Sequence, residues 1–447
     1  VVGRDLGRAF LAVEGSALDV NRAFAITLID WLGPKQLRYH TPEGTPRIAP
    51  EIADSVIGIA GLDTSPRIRP MFVPPIADVP VGGMRPADAA LAYDIKPLHD
   101  AGINGEGQTI AIVSFDTFLD SDVAAFDAFV GITAPPVERR PAPAGYQPVL
   151  GDGSGEVNLD IDIIRAIAPA ATIIDYEADP NTDFAEVFAA ILDDGRANVV
   201  SVSWGGCEID WPPIQRVLTD SVLERAYVQG VNIFSASGDT GAFSCAHQRD
   251  ANDDRPSGVY PSTSPFVISV GGTFLWVRED GSYLKEAAWE EAFRKIGSGG
   301  GPSDTYARPD WQVGSGIAIG TQRLTPDVAG PADGESGMIF ASTPVGGSSP
   351  DIGPAGGTSA AAPFWSASML LAQQLAEREG VGPLGQLAPM LYDLAATPAV
   401  PPLFHDVTLG GNLSEPATTG WDAATGLGSP DVTALANAIV LRLRAGE

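Results

Sequence analysis

Ser359 is the residue of this chain best placed to act as a nucleophile. It follows a glycine-rich turn that includes Gly356 and Gly357, and it precedes a largely apolar run over residues 364–375. The run predicts a buried helix. A serine at a helix N-terminus receives the positive end of the helix dipole and the unpaired N–H groups of the first turn. Ser359 is therefore a candidate for chemistry that passes through an oxyanion.

A nucleophilic serine needs a base, and the usual one is not evident. The chain has four histidines: His40, His99, His247 and His405. None of them lies in a His-Gly-Thr context, so the histidine that usually acts as the base for such a serine is missing. Glu156 and Asp160 offer an alternative, since residues four apart share one face of the helix predicted to run to residue 167. Two adjacent carboxylates cannot both ionise easily, so one can hold and pass a proton. Taken alone, such a pair is more often a solvated acidic face.

Asp239 is a third candidate acid. It lies in the segment 235–241, at the C-terminal end of a predicted strand. A protonated carboxyl at that point can donate a hydrogen bond to a developing oxyanion. The simpler interpretation of the segment by itself is a turn aspartate that makes an Asx hydrogen bond.

These residues are positioned by an alternating pattern that begins near residue 86. Strands rich in β-branched residues are predicted over residues 109–113, 172–176, 198–203, 231–235 and 266–270. Helices are predicted between them over residues 122–130, 184–192 and 214–229. Continuous apolar strands between helices indicate a parallel α/β sheet buried on both faces, where sites form at the C-terminal ends of strands.

The N-terminal part of the chain has a different organisation. Residues 1–65 predict a small α/β unit with a strand over 8–13, a helix over 16–24 and strand-like segments around 37–40 and 56–59. Residues 66–85 are rich in proline and glycine, which is typical of a linker. The main α/β domain then covers residues 86–447.

Composition limits the classes of partner. The formal charge is −29, which argues against nucleic acid and anionic membranes and suits work at low pH. The sequence contains no run of 18 or more apolar residues, so it does not predict a membrane span. Cys207 and Cys245 each follow a predicted strand. A disulfide between them would indicate an oxidising compartment, and two separate buried thiols are the alternative.

Four segments in this order resemble the sedolisin family of serine-carboxyl peptidases. They are Glu156-x-x-x-Asp160, Ser237-Gly238-Asp239, Pro326-Asp327-Val328-Ala329 and Gly357-Thr358-Ser359. The serine motif alone also resembles that of subtilisin-like peptidases. The resemblance extends over essentially the whole chain and includes the glycine-rich stretch 298–301 followed by residues 309–312.

The resemblance implies a subtilisin-like, doubly wound and mostly parallel sheet. Residues 1–65 look like the later part of a ferredoxin-like prodomain, and the linker would contain the processing site. Ser359 would be the nucleophile, and Glu156 would replace the histidine as general base and acid. Asp160 would hydrogen-bond and tune Glu156, and Asp239 would stabilise the oxyanion.

The sequence departs from the family pattern at two places. Where some relatives carry an acid that extends the proton relay, this chain has Ser114, with Asp116 two residues later. Trp204 matches the aromatic position of that relay, so a shorter relay is expected. Val259 stands where some relatives have an acid just before Tyr-Pro, which disfavours a basic P1 residue.

The C-terminal region resembles the calcium site of the family. Carboxylates from Asp406 and Asp422 and carbonyl oxygens from Val407, Thr418 and Gly420 would form it. Calcium prefers such oxygen ligands from flexible loops. An ordinary Asp/Gly turn is the alternative without the resemblance, and His405 is expected to pack beside the loop.

Together these features predict a serine endopeptidase that acts at acidic pH and is made as a zymogen. Its expected cofactor is Ca²⁺. Its expected partners are protein or peptide substrates and its own prodomain as inhibitor, with the protein secreted as a monomer or held in another acidic, oxidising compartment. Two alternatives stay open: a catalytically silent, calcium-stabilised binding protein on the same fold, and a conventional subtilisin-like peptidase that uses Asp116 and His247.

Overall fold

A computed structural model describes residues 3–4, 11–32, 38–53, 55–65, 67–71, 83–245 and 255–446 of the chain. Within these ranges, no helix is both long enough and apolar enough to span a lipid bilayer.

The helices of the described ranges are α1 (Ala17–Phe24), α2 (Pro50–Ala53), α3 (Pro86–Ala92), α4 (Lys96–Asp100), α5 (Asp120–Val130), α6 (Ser154–Ile167), α7 (Phe184–Asp194), α8 (Pro213–Gln229), α9 (Thr358–Arg378), α10 (Leu387–Ala395) and α11 (Val432–Gly446). The strands are β1 (Gly3–Arg4), β2 (Leu11–Ala12), β3 (Thr27–Leu32), β4 (Arg38–Glu43), β5 (Arg69–Pro70), β6 (Thr109–Ser114), β7 (Glu138–Pro141), β8 (Thr172–Glu177), β9 (Val199–Val202), β10 (Trp204–Cys207), β11 (Asn232–Ala236), β12 (Val259–Tyr260), β13 (Ile268–Val277), β14 (Tyr283–Ala288), β15 (Glu290–Glu291), β16 (Ile296–Gly297), β17 (Gly301–Ala307), β18 (Gln322–Thr325), β19 (Val328–Pro331), β20 (Ile339–Ser342), β21 (Asp351–Pro354), β22 (Phe404–His405) and β23 (Ser429–Pro430).

The core of the molecule is one eight-stranded sheet. Its strand order is β14-β13-β11-β9-β6-β8-β7, and β19 also pairs with β13. Every pairing is parallel except that of β13 with β14. The predicted α/β fold with a mostly parallel sheet is therefore confirmed.

Helices cover both faces of this sheet. The α9 helix packs on β9, β11, β13 and β19 and beside α6, while α7 packs on β6 and β8 and beside α8. All residues of β9 and β11 are buried, although consecutive side chains point to opposite faces. The continuous apolar character of these strands thus reflects cover on both sides.

The N-terminal region contains α1 and two small antiparallel pairs, β1 with β2 and β3 with β4. Ser16 caps α1 by accepting a hydrogen bond from the Asp19 backbone. The strand expected around residues 56–59 is wrong, because residues 56–60 have no regular structure. That segment lies against α8 instead, so closely that a Cβ on Gly58 would approach Ile214 Cδ1 to 1.8 Å.

Candidate active site

Ser359 lies in the first turn of α9 and is fully buried. Gly357 caps this helix with φ +105° and ψ 153°, a conformation that L side chains rarely adopt. The neighbouring Gly356 lies against other backbone, where a Cβ would be 2.8 Å from the Ala332 carbonyl oxygen. The two glycines therefore let the chain turn sharply and place the serine at the positive end of the helix.

Glu156 and Asp160 occupy successive turns of α6, and their exposed fractions are 1% and 0%. Burial raises the pKa of both carboxyls well above their ordinary values, and the charge of Asp160 raises that of Glu156 further. The hydroxyls of Ser359 and Ser203 approach Glu156 closely enough to lower its pKa. Neither hydroxyl donates a hydrogen bond to Glu156 in this conformation. The structure thus brings the predicted base to the predicted nucleophile.

Asp116 orients the start of α6. Its Oδ1 accepts hydrogen bonds from the backbone of Thr117 and Gly151, and its Oδ2 accepts one from Gly153, each at 2.8 Å. Gly153 is the residue directly before α6, so these bonds hold the loop that leads to Glu156. Both carboxylate oxygens of Asp116 accept hydrogen bonds from backbone N–H groups. Asp116 therefore stabilises a turn, and this geometry does not favour a role as a catalytic acid at Ser359.

Ser203, which the sequence pattern did not single out, connects the acidic pair to the cleft. Its hydroxyl donates a 2.6 Å hydrogen bond to Asp160 Oδ1, and its carbonyl oxygen accepts the Met71 N–H at 3.0 Å. Ser203 follows the buried strand β9, so its place at the carboxyl end of a strand was the available signal.

Asp239 lies just beyond the end of β11 and is joined to the residue before the nucleophile. Its Oδ1 accepts hydrogen bonds from the Thr358 backbone N–H and hydroxyl, both at 2.8 Å. The Thr358 hydroxyl accepts the Gly238 N–H at 3.0 Å. These bonds fix the strand end that carries Asp239 to the first turn of the helix that carries Ser359.

The segment 67–71 runs through this site. Its strand β5 pairs antiparallel with β10, with Pro70 opposite Trp204 and Arg69 opposite Gly205. The Ser359 backbone N–H donates a 3.2 Å hydrogen bond to the Met71 carbonyl oxygen, and the Ser359 hydroxyl donates to the same oxygen. A stretch of the chain's own backbone therefore presents a peptide carbonyl to the candidate nucleophile.

The sequence and the fold are similar to those of known peptidases. Kumamolisin from Bacillus sp. (strain MN-32) is 32% identical, with 96% of this chain and 79% of that protein covered. Sedolisin from Pseudomonas sp. (strain 101) is 27% identical, with coverages of 96% and 74%. A structure of Pseudomonas sedolisin, a serine-carboxyl proteinase, in complex with two molecules of pseudo-iodotyrostatin matches with a TM-score of 0.69 and 27% identity, covering 81% of this chain and 99% of that one. The chain belongs to the sedolisin family. It is a serine-carboxyl peptidase and hence a hydrolase that acts on proteins or peptides. No protein-family model matches the sequence.

Asp175, a further buried acid of this sedolisin-family peptidase, lies beside Ser114, the position at which a shorter proton relay was expected. Ser114 donates a 2.5 Å hydrogen bond to Asp175 Oδ1. Burial, followed by the charge of Glu177, raises the pKa of Asp175 well above its usual range, and Asp160 adds to the effect. Trp204 Nε1 makes no hydrogen bond with a described residue. Asp175 could not be recognised from the sequence, because it reaches Ser114 only through the pairing of β8 with β6.

The segment Pro326-Asp327-Val328-Ala329 has a structural role in this peptidase. Asp327 forms an ion pair with Arg323, and both side chains are buried. Tyr392 donates a 2.8 Å hydrogen bond to the same carboxylate. Because the charges are paired and further hydrogen-bonded, they are compatible with burial, and they anchor the start of β19.

The two loops that carry the expected calcium ligands lie in the C-terminal part of the chain of this peptidase and contact each other. The Gly420 N–H lies 3.1 Å from Asp406 Oδ1, and the Thr418 N–H lies 2.8 Å from Asp422 Oδ2. None of the described residues donates a hydrogen bond to the carbonyl oxygens of Val407, Thr418 or Gly420. The described ranges hold no group of three or more His, Cys, Asp or Glu side chains arranged to bind a metal ion. Two carboxylates with three uncommitted carbonyls fit a hard cation, which does not require such a cluster.

His405 and the cysteines have clear places in the peptidase. The His405 ring stacks on Tyr283 with centroids 3.6 Å apart, and burial lowers its pKa to about 4. Cys207 and Cys245 form a disulfide with Cα atoms 4.8 Å apart. The bond is compatible with an oxidising compartment. His247 lies outside the described residues.

Proposed function

We propose that this chain is a serine endopeptidase of acidic solution, made as a zymogen. Ser359 is its nucleophile, Glu156 its general base and then acid, Asp160 the acid that tunes Glu156, and Asp239 the oxyanion donor. The observation that carries the proposal is the Met71 carbonyl oxygen, which accepts hydrogen bonds from both the N–H and the hydroxyl of Ser359.

In the acylation step, Ser359 Oγ attacks a substrate carbonyl carbon and its proton passes to Glu156. The carbonyl oxygen becomes an oxyanion held by the Ser359 N–H, as the Met71 oxygen is held here. Glu156 then gives its proton to the leaving amine, and an acyl-enzyme remains. In the second half, a water gives its proton to Glu156, attacks the ester, and releases the acid product as the proton returns to Ser359.

Asp239 supplies the second donor to the oxyanion. Its Oδ1 already accepts both Thr358 donors, so the proton that Asp239 would donate belongs on Oδ2. Such a donor has to be protonated while Glu156 is ionised. The two requirements are met together only over a limited range of acidic pH, which supports an acidic optimum.

Asp160 and its Ser203 partner act on the base. The two carboxyls of Glu156 and Asp160 are buried together, so loss of both protons is unfavourable. The Ser203 hydroxyl donates to Asp160 Oδ1 at 2.6 Å, which leaves Oδ2 as the oxygen that can carry a proton. With the proton of the pair on Asp160, Glu156 is the ionised member and can accept the serine proton.

The cleft favours an endopeptidase over a tripeptidyl-peptidase, an activity named for relatives such as tripeptidyl-peptidase sed1 of Aspergillus fumigatus. An enzyme that removes tripeptides needs the chain to end three residues before the cut. Here the chain continues past Arg69 to Arg67, whose carbonyl oxygen would lie 2.4 Å from a Cβ on Gly206. The cleft therefore receives at least five residues before the carbonyl.

The same segment supports a zymogen. Residues 67–71 lie between the N-terminal unit and the main domain, and they occupy the cleft where a substrate would bind. A substrate cannot enter until this segment leaves. We assign residues 1–65 to the prodomain, residues 66–85 to the linker and residues 86–447 to the catalytic domain. The disulfide supports secretion.

Ca²⁺ would be held by the carboxylates of Asp406 and Asp422 and the carbonyls of Val407, Thr418 and Gly420. Its contribution would be structural, since it would neutralise two carboxylates that both accept hydrogen bonds from the backbone of residues 418–420. The support is that no described residue donates a hydrogen bond to the three carbonyl oxygens.

The deciding experiment is an acid-activated preparation of the full chain assayed on casein from pH 3 to pH 9, with Ser359→Ala as the comparison. Activity with an acidic optimum that the variant lacks supports the proposal. An optimum above neutrality contradicts the carboxylate base. Inactivity at every pH, despite an emptied cleft, supports a silent binding protein, and loss of activity in His247→Ala supports a histidine base.

A further inference from the structure

The backbone of residues 237–239 determines where the Asp239 carboxyl lies. This segment leaves the central sheet just after β11, and Asp239 Oδ1 accepts hydrogen bonds from the N–H and the hydroxyl of Thr358. Those bonds hold the carboxyl from the side of α9. A catalytic group that is about 1 Å out of place can cost about a hundredfold in rate, so the support of the Asp239 backbone also matters for the reaction.

Residues 297–299 run beside this segment and bond to it at two points. The Gly297 N–H donates to the Asp239 carbonyl oxygen at 3.0 Å, and the Gly299 N–H donates to the Gly238 carbonyl oxygen at 2.7 Å. A Cβ on Gly299 would lie 2.2 Å from the carbonyl oxygen of the residue before Gly238, so the approach requires a glycine. The position of Asp239 therefore follows the position of residues 297–299.

Ser298, between those two glycines, is fully buried and fixes the stretch from another side. Its hydroxyl donates a 2.6 Å hydrogen bond to the Ala424 carbonyl oxygen and accepts the Gly272 N–H at 2.8 Å. Gly272 belongs to β13 of the central sheet. Ala424 belongs to a loop in which Asp422 Oδ1 accepts the N–H groups of residues 424 and 425. One hydroxyl thus joins the glycine-rich stretch to the sheet and to the C-terminal loop.

The packing around Ser298 brings backbone against backbone. A Cβ on Gly271 would lie 2.7 Å from Ser298 Oγ, and a Cβ on Gly300 would lie 1.9 Å from the Ala423 carbonyl oxygen. Interiors packed in this way are poorly compressible and transmit displacements. Loss of the Ser298 hydroxyl would leave two buried backbone groups without their partner, and the stretch that supports Asp239 would shift as those groups rearrange.

We infer that Ser298 is a positioning residue for the oxyanion acid, because its hydroxyl holds residues 297–299 where their N–H groups fix the backbone of Asp239. The inference rests on the proposed function, in which Asp239 is the second donor to the oxyanion. The Ser298 hydroxyl is bonded to Ala424 and Gly272, so it acts through Asp239 and not on the substrate. Its loss is expected to weaken binding of the transition state and to leave binding of the ground-state peptide unchanged.

The test compares two peptide ligands that differ only in their ability to form an oxyanion. The probes are the pentapeptide of residues 67–71 with its C-terminal carboxyl group replaced by an aldehyde, and the same peptide with an alcohol there. Ser359 Oγ bonds to the aldehyde carbon, the electron pair of the C=O π bond moves onto the oxygen, and the serine proton passes to Glu156. The alcohol has no carbonyl to attack. The ratio of the two Kd values, measured by calorimetry on one acid-activated preparation, is insensitive to a loss of folded enzyme.

The preference for the aldehyde over the alcohol is expected to fall about tenfold in Ser298→Ala, with an unchanged Kd for the alcohol. For a peptide substrate, kcat is expected to fall by a similar factor while KM stays the same. Ser298→Cys keeps the shape of the side chain but has a weaker donor and acceptor, so a smaller fall is expected. Ser303→Ala is the matched control and keeps the ratio, because this buried hydroxyl bonds to Glu208 and to the N–H groups of residues 305 and 306.

The outcomes separate the two proposals. If the parent enzyme prefers the aldehyde and Ser298→Ala keeps that preference, or Ser303→Ala lowers it as much, this inference fails while the proposed function stands. If Ser298→Ala does not fold, the ratio in Ser298→Cys decides in the same way. If the parent enzyme binds the aldehyde no better than the alcohol at any pH, Ser359 forms no stabilised oxyanion and the proposed function fails first.

Discussion

The backbone nitrogen of Ser359 donates a 3.2 Å hydrogen bond to the carbonyl oxygen of Met71, although the two residues are 288 positions apart in the chain. An oxyanion in the same place would be charged where Met71 is neutral, and the bond would strengthen as the charge develops. The contact therefore supports the proposal that the cleft binds a peptide in this position and that the Ser359 N–H stabilises the oxyanion.

The first prediction separates the two acids of α6. Glu156→Gln removes the group that accepts the serine proton, so kcat/KM on a peptide substrate is expected to fall about 10⁴-fold. Asp160→Asn keeps an acceptor for the Ser203 hydroxyl but loses the titrating group that shares a proton with Glu156, and a fall of about 10²-fold is expected. Asp351→Asn, an exposed acid on β21, serves as the control. Equal, small losses in both variants would contradict the assignment of Glu156 as base.

The second prediction concerns stability against pH. Burial raises the pKa of Asp160, Asp162 and Asp175 well above their usual range. The folded chain then holds protons that the unfolded chain has lost above about pH 4, so the free energy of unfolding falls as pH rises, by up to about 1.4 kcal/mol per pH unit for each retained proton. Urea unfolding midpoints measured from pH 4 to pH 7 check this.

A single variant shows whether these buried acids are the source. Asp162 Oδ2 accepts the Ala341 N–H at 2.9 Å, and Asp162→Asn can keep that acceptor while it removes the titrating group. Its unfolding midpoint is expected to fall less steeply with pH than that of the parent chain. Stability that is constant or that rises between pH 4 and pH 7 would refute the prediction.

The third prediction concerns the disulfide. Cys207 and Cys245 are 38 residues apart, and closing a loop of that length limits the unfolded chain. The chain-entropy relation gives a loss of about 4 kcal/mol in unfolding free energy when both are replaced by alanine. Chemical denaturation of the double variant measures this loss. A change below about 1 kcal/mol would mean that the cross-link does not restrict the unfolded ensemble as the relation assumes.

The fourth prediction concerns calcium. Binding to the folded state alone stabilises it by about 2.7 kcal/mol at a hundredfold excess over Kd, so a chelator is expected to lower the melting temperature. Asp406→Asn should show the low melting temperature without chelator and no further response to it. Asp393→Asn, an exposed partner of Arg442, is the control and keeps the calcium response. An unchanged melting temperature in chelator would rule out the site.

The sequence by itself predicted the alternating strands and helices that build the sheet, because apolar continuity and residue spacing are local properties. It also singled out Ser359, Glu156, Asp160 and Asp239 as candidates, and the structure brings them together at the carboxyl ends of the strands and the start of α9. It failed at residues 56–59, where packing of Gly58 against Ile214 replaces the strand pairing that the local pattern suggested.

Only the tertiary structure could place Met71 at Ser359, Ser203 between Asp160 and the cleft, and Asp175 beside Ser114. Each of these contacts joins residues at least 43 positions apart, across strands whose order in the sheet differs from their order in the chain. Side-chain types and local spacing determine which groups are available for chemistry. Strand pairing and burial decide which of them meet, and how strongly their proton affinities are shifted when they do.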